Sequence, residues 1–154
     1  MPVDVVRRAD PAAVAAILDS IPEWFGIPEA NASYVADAGR LPSYLAVDGD
    51  QVVGVALVSE HFPASRELHL LAVRRDRHRQ GVGRELLAGV EGDLRDAGVR
   101  VLEVHTVGPS YEHAGYAATR AFYESLGFVP VHELERIDWN GPTLILVKPL
   151  WTQL

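Results

Sequence analysis

Arg79-Gln80-Gly81-Val82-Gly83-Arg84 stands between an apolar run, Leu68 to Val73, and a helical pattern, Glu85 to Ala97. A strand, a basic glycine turn and a helix in that order describe a phosphate site. Glycine lets backbone N–H groups come close to a ligand, the first amides of a helix have no partner of their own, and the macrodipole favours an anion there. Arg74, Arg75, Arg77, His78, Arg79 and Arg84 gather in and around the same turn as the one dense basic cluster of the chain. Charge runs are also commonly just solvated, a reading that applies first to the outer members, Arg74 and Arg75.

Upstream of the turn, Val3 to Arg7 reads as a short strand, and Asp10-Pro11 supplies an N-cap and an N1 proline for a helix to about Ser20. Glu23 to Pro28 is turn-rich and carries Trp24 and Phe25, and a weaker helix follows near Glu29 to Ala38. Ser43 to Val47 and Gln51 to Ser59 are β-rich runs joined by Asp48-Gly49-Asp50, a hairpin signal. Arg66 to Val73 is nearly continuous in apolar character after Leu68, as expected of a central strand covered on both faces.

Downstream, Leu86, Leu87, Val90 and Leu94 recur at helical spacing, and Ala97-Gly98 closes that helix. Val99 to Thr106 returns as a strand, so strand, helix and strand predict a right-handed crossover between parallel strands. After a loop rich in Gly, Pro and Tyr, Tyr116 to Leu126 is helical and stopped by Gly127. Phe128 to Arg136 and Thr143 to Val147 close the pattern around Asn140-Gly141-Pro142. The order βααβββαβαββ, without repeats or interdomain linkers, predicts one mixed-sheet α/β domain over residues 1–154.

The chain as a whole narrows the partners. Its 154 residues, 48% hydrophobic, suffice for one core. It has no cysteine, which removes disulfides and thiolate chemistry and fits a reducing cytosol. No apolar stretch of about 18 residues exists, and Met-Pro-Val-Asp lacks the features of a signal peptide, so the expectation is a cytoplasmic protein without a membrane partner. A formal net charge of -7 argues against nucleic acid and suits a cationic substrate.

Three phosphate-binding readings compete for the turn. A P-loop needs Gly-Lys-Ser/Thr, and Gly83 is followed by Arg84-Glu85. A dinucleotide fingerprint needs a third glycine where Leu86 stands and a turn directly after the strand, although Glu103 mimics its ribose-binding acid. In the third reading, Val73 through Leu87 resembles the acetyl-CoA-binding motif of the GCN5-related N-acetyltransferases (GNAT): a strand, then Gln/Arg-x-x-Gly-x-Gly/Ala, then a helix. Ala121-Phe122-Tyr123-Glu124-Ser125-Leu126-Gly127-Phe128 is similar to the family's later helix-to-strand signature, and the element order is similar across nearly the whole chain.

The resemblance implies a mostly antiparallel sheet with a central, splayed parallel strand pair. It implies acetyl-CoA as donor, its pyrophosphate held by the amides of Arg79, Gln80, Gly81, Val82, Gly83 and Arg84, and its pantetheine arm along Leu71, Ala72 and Val73. His78 stands where the family usually has Gln or Arg and is expected to tune the donor site. By resemblance, the Val73 backbone polarises the acetyl carbonyl and Tyr123 protonates the leaving sulfur.

Direct transfer to an amine needs a base but neither a metal nor a protein nucleophile. Strand alternation puts Glu67, His69 and Leu71 on one face, and Glu103 and His105 on one face of the neighbouring strand. Glu103, in Leu102-Glu103-Val104, resembles the catalytic glutamate of the family's ribosomal-protein N-terminal acetyltransferases. It is the first choice, Glu67 the second, and His69 and His105 also compete. Tyr116 occupies the position of a usual cofactor-contacting asparagine, after a long segment, Val107 to Gly115. That segment, with Trp24, Phe25 and Tyr34, is expected to shape the acceptor pocket. The expected partners are acetyl-CoA and an amine, with a homodimer plausible by resemblance; the competing reading is a non-catalytic acyl-CoA sensor.

Overall fold

Local signals place most element ends. The Asp10 carboxylate accepts a hydrogen bond from the Ala13 N–H at 3.0 Å and Pro11 takes the first helical position, starting helix α1 (Pro11–Asp19). Gly98 and Gly127 adopt left-handed φ values of 81° and 94° just beyond α3 (Val82–Asp96) and α4 (Ala114–Ser125). The computed structural model describes residues 2–151. The remaining elements are α2 (Pro28–Ala38) and strands β1 (Asp4–Arg7), β2 (Ser43–Asp48), β3 (Gln51–Phe62), β4 (Ser65–Val73), β5 (Val101–Val107), β6 (Val129–Glu135) and β7 (Pro142–Pro149).

The order βααβββαβαββ is as expected, with a short 3₁₀ turn, Arg75–Arg77, added before the glycine turn. Some ends move for identifiable reasons. Val99 donates its N–H to Leu94 at 2.9 Å and belongs to the turn closing α3, so β5 starts at Val101. His113 caps α4 by accepting from the Tyr116 N–H at 3.3 Å, so that helix starts before Tyr116. No helix among the described residues is long and apolar enough to cross a membrane.

The strands form one seven-stranded sheet in the order β1-β2-β3-β4-β5-β7-β6, with β4 at its centre. Neighbours are antiparallel except β4 and β5, which run parallel from Ser65↔Val101 to Leu68↔Val104. One core, on the α3/α4 side, packs Leu68, Leu86, Leu87, Val90, Leu102, Val104 and Tyr123. The other, on the α1/α2 side, packs Val14, Ile17, Leu18, Leu45, Leu57, Leu70 and Ala72. The sheet is therefore covered on both faces, which is what the apolar run of β4 requires.

Strict alternation would put Leu68 and Leu70 on one face, yet they belong to different cores. The register supplies the reason: Leu57 pairs with Leu70 and Val58 with Leu68, so His69 is an extra residue, a β-bulge. The bulge corrects the expected grouping of Glu67, His69 and Leu71. His69 turns toward α2, while Leu71 packs against the α3/α4 core. A second shift, between Glu60↔Arg66 and Phe62↔Ser65, leaves His61 as the extra residue of β3.

Candidate active site

Pairing of β4 with β5 stops at Leu68↔Val104, one residue before the bulge, while the strands continue to Val73 and Val107. A bulged strand bends and twists away, so the two central strands part there and open a gap through the sheet. The Arg74 N–H bonds to Val53 on β3 at 2.8 Å, and alternation turns the N–H and C=O of the preceding residue, Val73, toward the gap. Leu71, Ala72 and Val73 thus flank the opening. Leu71 and Val73 lie on its α3/α4 side, and Ala72 is buried on the α1/α2 side.

At the end of β4 the glycine turn presents a row of free donors. Among the described residues, no acceptor serves the six consecutive N–H groups from Arg79 to Arg84; the next, of Glu85, bonds to Gly81 at 3.0 Å. Arg79 (φ 63°) and Gly81 (φ 79°) both adopt the left-handed region that winds the chain into this turn. A non-glycine residue held there is uncommon. Gly83 has an ordinary φ; its missing side chain is explained by Phe122, whose Cζ would lie 3.2 Å from an added Cβ. Unpaired amides, two exposed arginines and a helix N-terminus fit a pyrophosphate.

Only part of the basic cluster is available to an anion. Arg74 bonds to Asp76 at 2.6 and 3.0 Å. Arg75 bonds to the Ser20 carbonyl at 2.7 Å and pairs with Glu23. Arg77 is buried, 2.8 Å from Asp48 and 2.7 Å from the Gln80 side-chain oxygen. These three fasten the turn to the α1–α2 connection and to the β2–β3 hairpin, leaving Arg79 and Arg84 without a carboxylate partner among the described residues. Val82 is buried core. The His78 Nε2 donates to the Val73 carbonyl at 2.8 Å, so it lies beside the gap-facing backbone rather than in the amide row.

Tyr123 lies in the α3/α4-side core that also holds Leu68 and Val104, the last paired residues of β4 and β5. It is buried edge-to-face between Phe122 and Phe128, and no partner holds its hydroxyl among the described residues. Burial, followed by the field of Tyr34, pushes its phenol well above the ordinary range, which keeps the proton on oxygen at neutral pH. Tyr34 belongs to α2, on the other side of the sheet, so the two hydroxyls sense each other across the opening.

The carboxylates and imidazoles gather on the α1/α2 side. Glu67 and Glu103 are direct partners across the parallel ladder. Together with His105 their ligand atoms lie within 4.8 Å of one another, a spacing that suits a shared proton or a metal ion. His105 bonds through Nε2 to Glu103 and through Nδ1 to Asp138 at 2.7 Å, and His61 bonds to Glu67 at 2.7 Å. Burial alone would lower the His105 pKa, but the Asp138 and Glu103 hydrogen bonds and the Glu67 charge outweigh it and raise it. His69 stands apart, bonded to Asp37 at 2.8 Å and packed against Tyr34. Asp138 and His61 are absent from the sequence reading, and no local signal marks them.

An aromatic wall closes the α1/α2 side. Trp24 meets His78 edge-on at 5.8 Å, its carbonyl accepts from the Tyr116 hydroxyl at 3.0 Å, and an added Cβ on Gly115 would lie 3.1 Å from its ring. Tyr111 contacts His113 and Trp139, and Phe25 contacts Tyr34. The 107–115 segment and the first helical region therefore meet where Gly115 faces the Trp24 ring, and Tyr116 of α4 adds its hydrogen bond beside them.

A family model for the acetyltransferase (GNAT) domain matches residues 40–130, more than half of the chain. Among solved structures, a GNAT-family protein from Desulfovibrio desulfuricans is 25% identical over 97% of this chain and 99% of its own, with a TM-score of 0.85. The ribosomal-protein-S18-alanine N-acetyltransferase of Escherichia coli is similar in fold: TM-score 0.74, 22% identity, 99% and 96% covered. So is a GNAT acetyltransferase of Elizabethkingia anophelis with acetyl-CoA bound: TM-score 0.72, 16% identity, 96% and 97% covered. A search of curated proteins found no match. The parallel pair that parts beside an unpaired amide turn, together with the family match, places this chain in the GNAT family of N-acetyltransferases.

Proposed function

We propose that this protein is an acetyl-CoA-dependent N-acetyltransferase that passes an acetyl group directly to a primary amine of a small molecule or peptide, as one domain over residues 1–154. The observation that carries the reading is the gap between β4 and β5, with a protonated phenol on one side and carboxylate–imidazole groups on the other. The relative with acetyl-CoA bound supports the choice of donor. The amides of Arg79 to Arg84 hold the pyrophosphate, Leu71 to Val73 guide the pantetheine arm, and the Val73 N–H polarises the acetyl carbonyl.

The acceptor enters on the α1/α2 side, where carboxylates and aromatic faces favour a cation. An ammonium must lose one proton before it attacks. The nitrogen then bonds to the acetyl carbon, the C–S bond breaks, and a second proton leaves nitrogen as the amide forms. Glu103, Glu67 and His105 accept protons from the amine, and Tyr123 supplies one to the departing sulfur. The transfer so written uses side chains as base and acid and draws on no metal.

Thiol release from acetyl-CoA with a panel of amines, peptides and aminoglycosides tests the reading. At least one acceptor should drive release, and dialysis against EDTA should leave the rate unchanged. Tight CoA binding with no acceptor-dependent release would instead make the protein a sensor, the role suggested by His78 occupying a gap-facing carbonyl. Tyr123→Phe should keep CoA affinity and lower kcat about 100-fold. Full turnover in that variant would remove Tyr123 from the chemistry.

A further inference from the structure

We propose that Asp138, on the turn between β6 and β7, is a positioning residue that makes His105 the amine-deprotonating group, so that the base is an Asp138–His105–Glu103 array rather than a lone carboxylate. This rests on the acetyl-transfer reading above. Asp138 lies 33 residues from His105 in sequence, yet its Oδ2 is 2.7 Å from Nδ1. The other ring nitrogen faces Glu103.

A carboxylate can only accept. With Asp138 on Nδ1 and Glu103 on Nε2, the protonated ring donates to both carboxylates; the form that reacts is the neutral ring, which keeps its Nδ1–H donated to Asp138 and leaves the Nε2 lone pair free. That nitrogen sits beside Glu103, opposite Glu67 on the parallel ladder, where the sheet opens. The groups facing the ring are Glu103 on β5, Glu67 on β4 and Asp138 on the turn; Tyr34 on α2 senses both Asp138 and Glu67.

The proton balance follows this array. The ammonium passes its proton to Nε2, with Glu103 as the adjoining acceptor, and becomes the attacking amine. The imidazolium then loses that proton to solvent on the side of Glu67 and His61, where the His61 side chain is 58% exposed. Tyr123 gives its proton to the sulfur, and the second amine proton restores the phenol. One proton is released and one thiol formed per acetyl transferred. A carboxylate on the far ring nitrogen strengthens the imidazole as a base and fixes its tautomer, so Asp138 acts on the reaction without touching the substrate.

Asp138→Asn preserves the shape and removes the charge. By NMR titration of the His105 ring in the free protein, the wild-type pKa should lie above the ordinary histidine value, and in Asp138→Asn it should fall measurably below the wild-type value. An unchanged titration overturns the proposal, whatever the fate of the acetyl-transfer reading. With an acceptor in hand, Asp138→Asn should lower kcat at least tenfold, leave the KM for acetyl-CoA unchanged and move the acidic limb of the rate profile downward by the same shift; Asp138→Glu should restore part of the rate. A rise in acceptor KM with kcat and the limb unmoved would reduce Asp138 to holding the turn and overturn the proposal. If no acceptor reacts while the titration shifts as expected, the array stands and the acetyl-transfer reading fails.

Discussion

Single residues near the gap have separable physical jobs. His105 has a folded pKa above its unfolded value, so its interactions stabilise the protein most below about pH 6.5 and are lost as pH rises through the folded value. Melting temperatures of His105→Asn and wild type should therefore differ more at pH 5.5 than at pH 8.5; an equal gap at both would show that the imidazole charge adds nothing. Activity runs the other way, since the neutral ring accepts the proton. Gly83→Ala pushes a methyl group to 3.2 Å from the Phe122 ring, tighter than ordinary contact. It should cost about 1 kcal/mol in denaturant melts, because Phe122, half-buried against the α3/α4-side core, must give way. Tyr123 was legible because it sits in a sequence motif. Asp138 was not, because only the β6–β7 hairpin brings it to β5.

At the scale of elements, the glycine turn is fastened by its own arginines. Arg77, buried under the turn, ties it to the β2–β3 hairpin through Asp48 at 2.8 Å. Asp48→Ala should lower stability by about 2 kcal/mol, since it removes the carboxylate paired with a buried guanidinium, and should weaken CoA binding in calorimetry by loosening the amide row. Unaltered CoA affinity would separate the fastening from the site. The sequence showed a basic cluster without revealing which members were neutralised, because Asp48, Glu23 and Ser20 reach it through folding. Strand β4 teaches the same lesson. Its length and centrality were readable from its apolar run, whereas one inserted residue, His69, reassigns every side chain beyond it to the opposite face.

Across the whole molecule, the parallel crossover and the order of elements followed from periodicity and caps, which are local. The opening between β4 and β5 is not local; it needs a bulge on one strand and an end to pairing on the next, and no spacing rule records either. The two cores meet the sheet from opposite sides, so in the proposed reaction donor and acceptor would meet different helices: α3 and α4 for one, α1 and α2 for the other. Phe25→Ala, on the α1/α2 side against Tyr34, should therefore raise the acceptor KM severalfold while leaving the acetyl-CoA KM nearly unchanged in initial-rate kinetics. Equal increases in both would mean that the sheet does not insulate its two sides. Trp24 is the exception, since its indole meets His78 at the head of the donor turn and Gly115 at the head of α4. Indole emission responds to the polarity and charge of its immediate neighbours, so this contact equips the protein with its own optical reporter. Titration with CoA should change the fluorescence of the wild type and leave that of Trp24→Phe nearly constant, although Trp139 and Trp151 still emit.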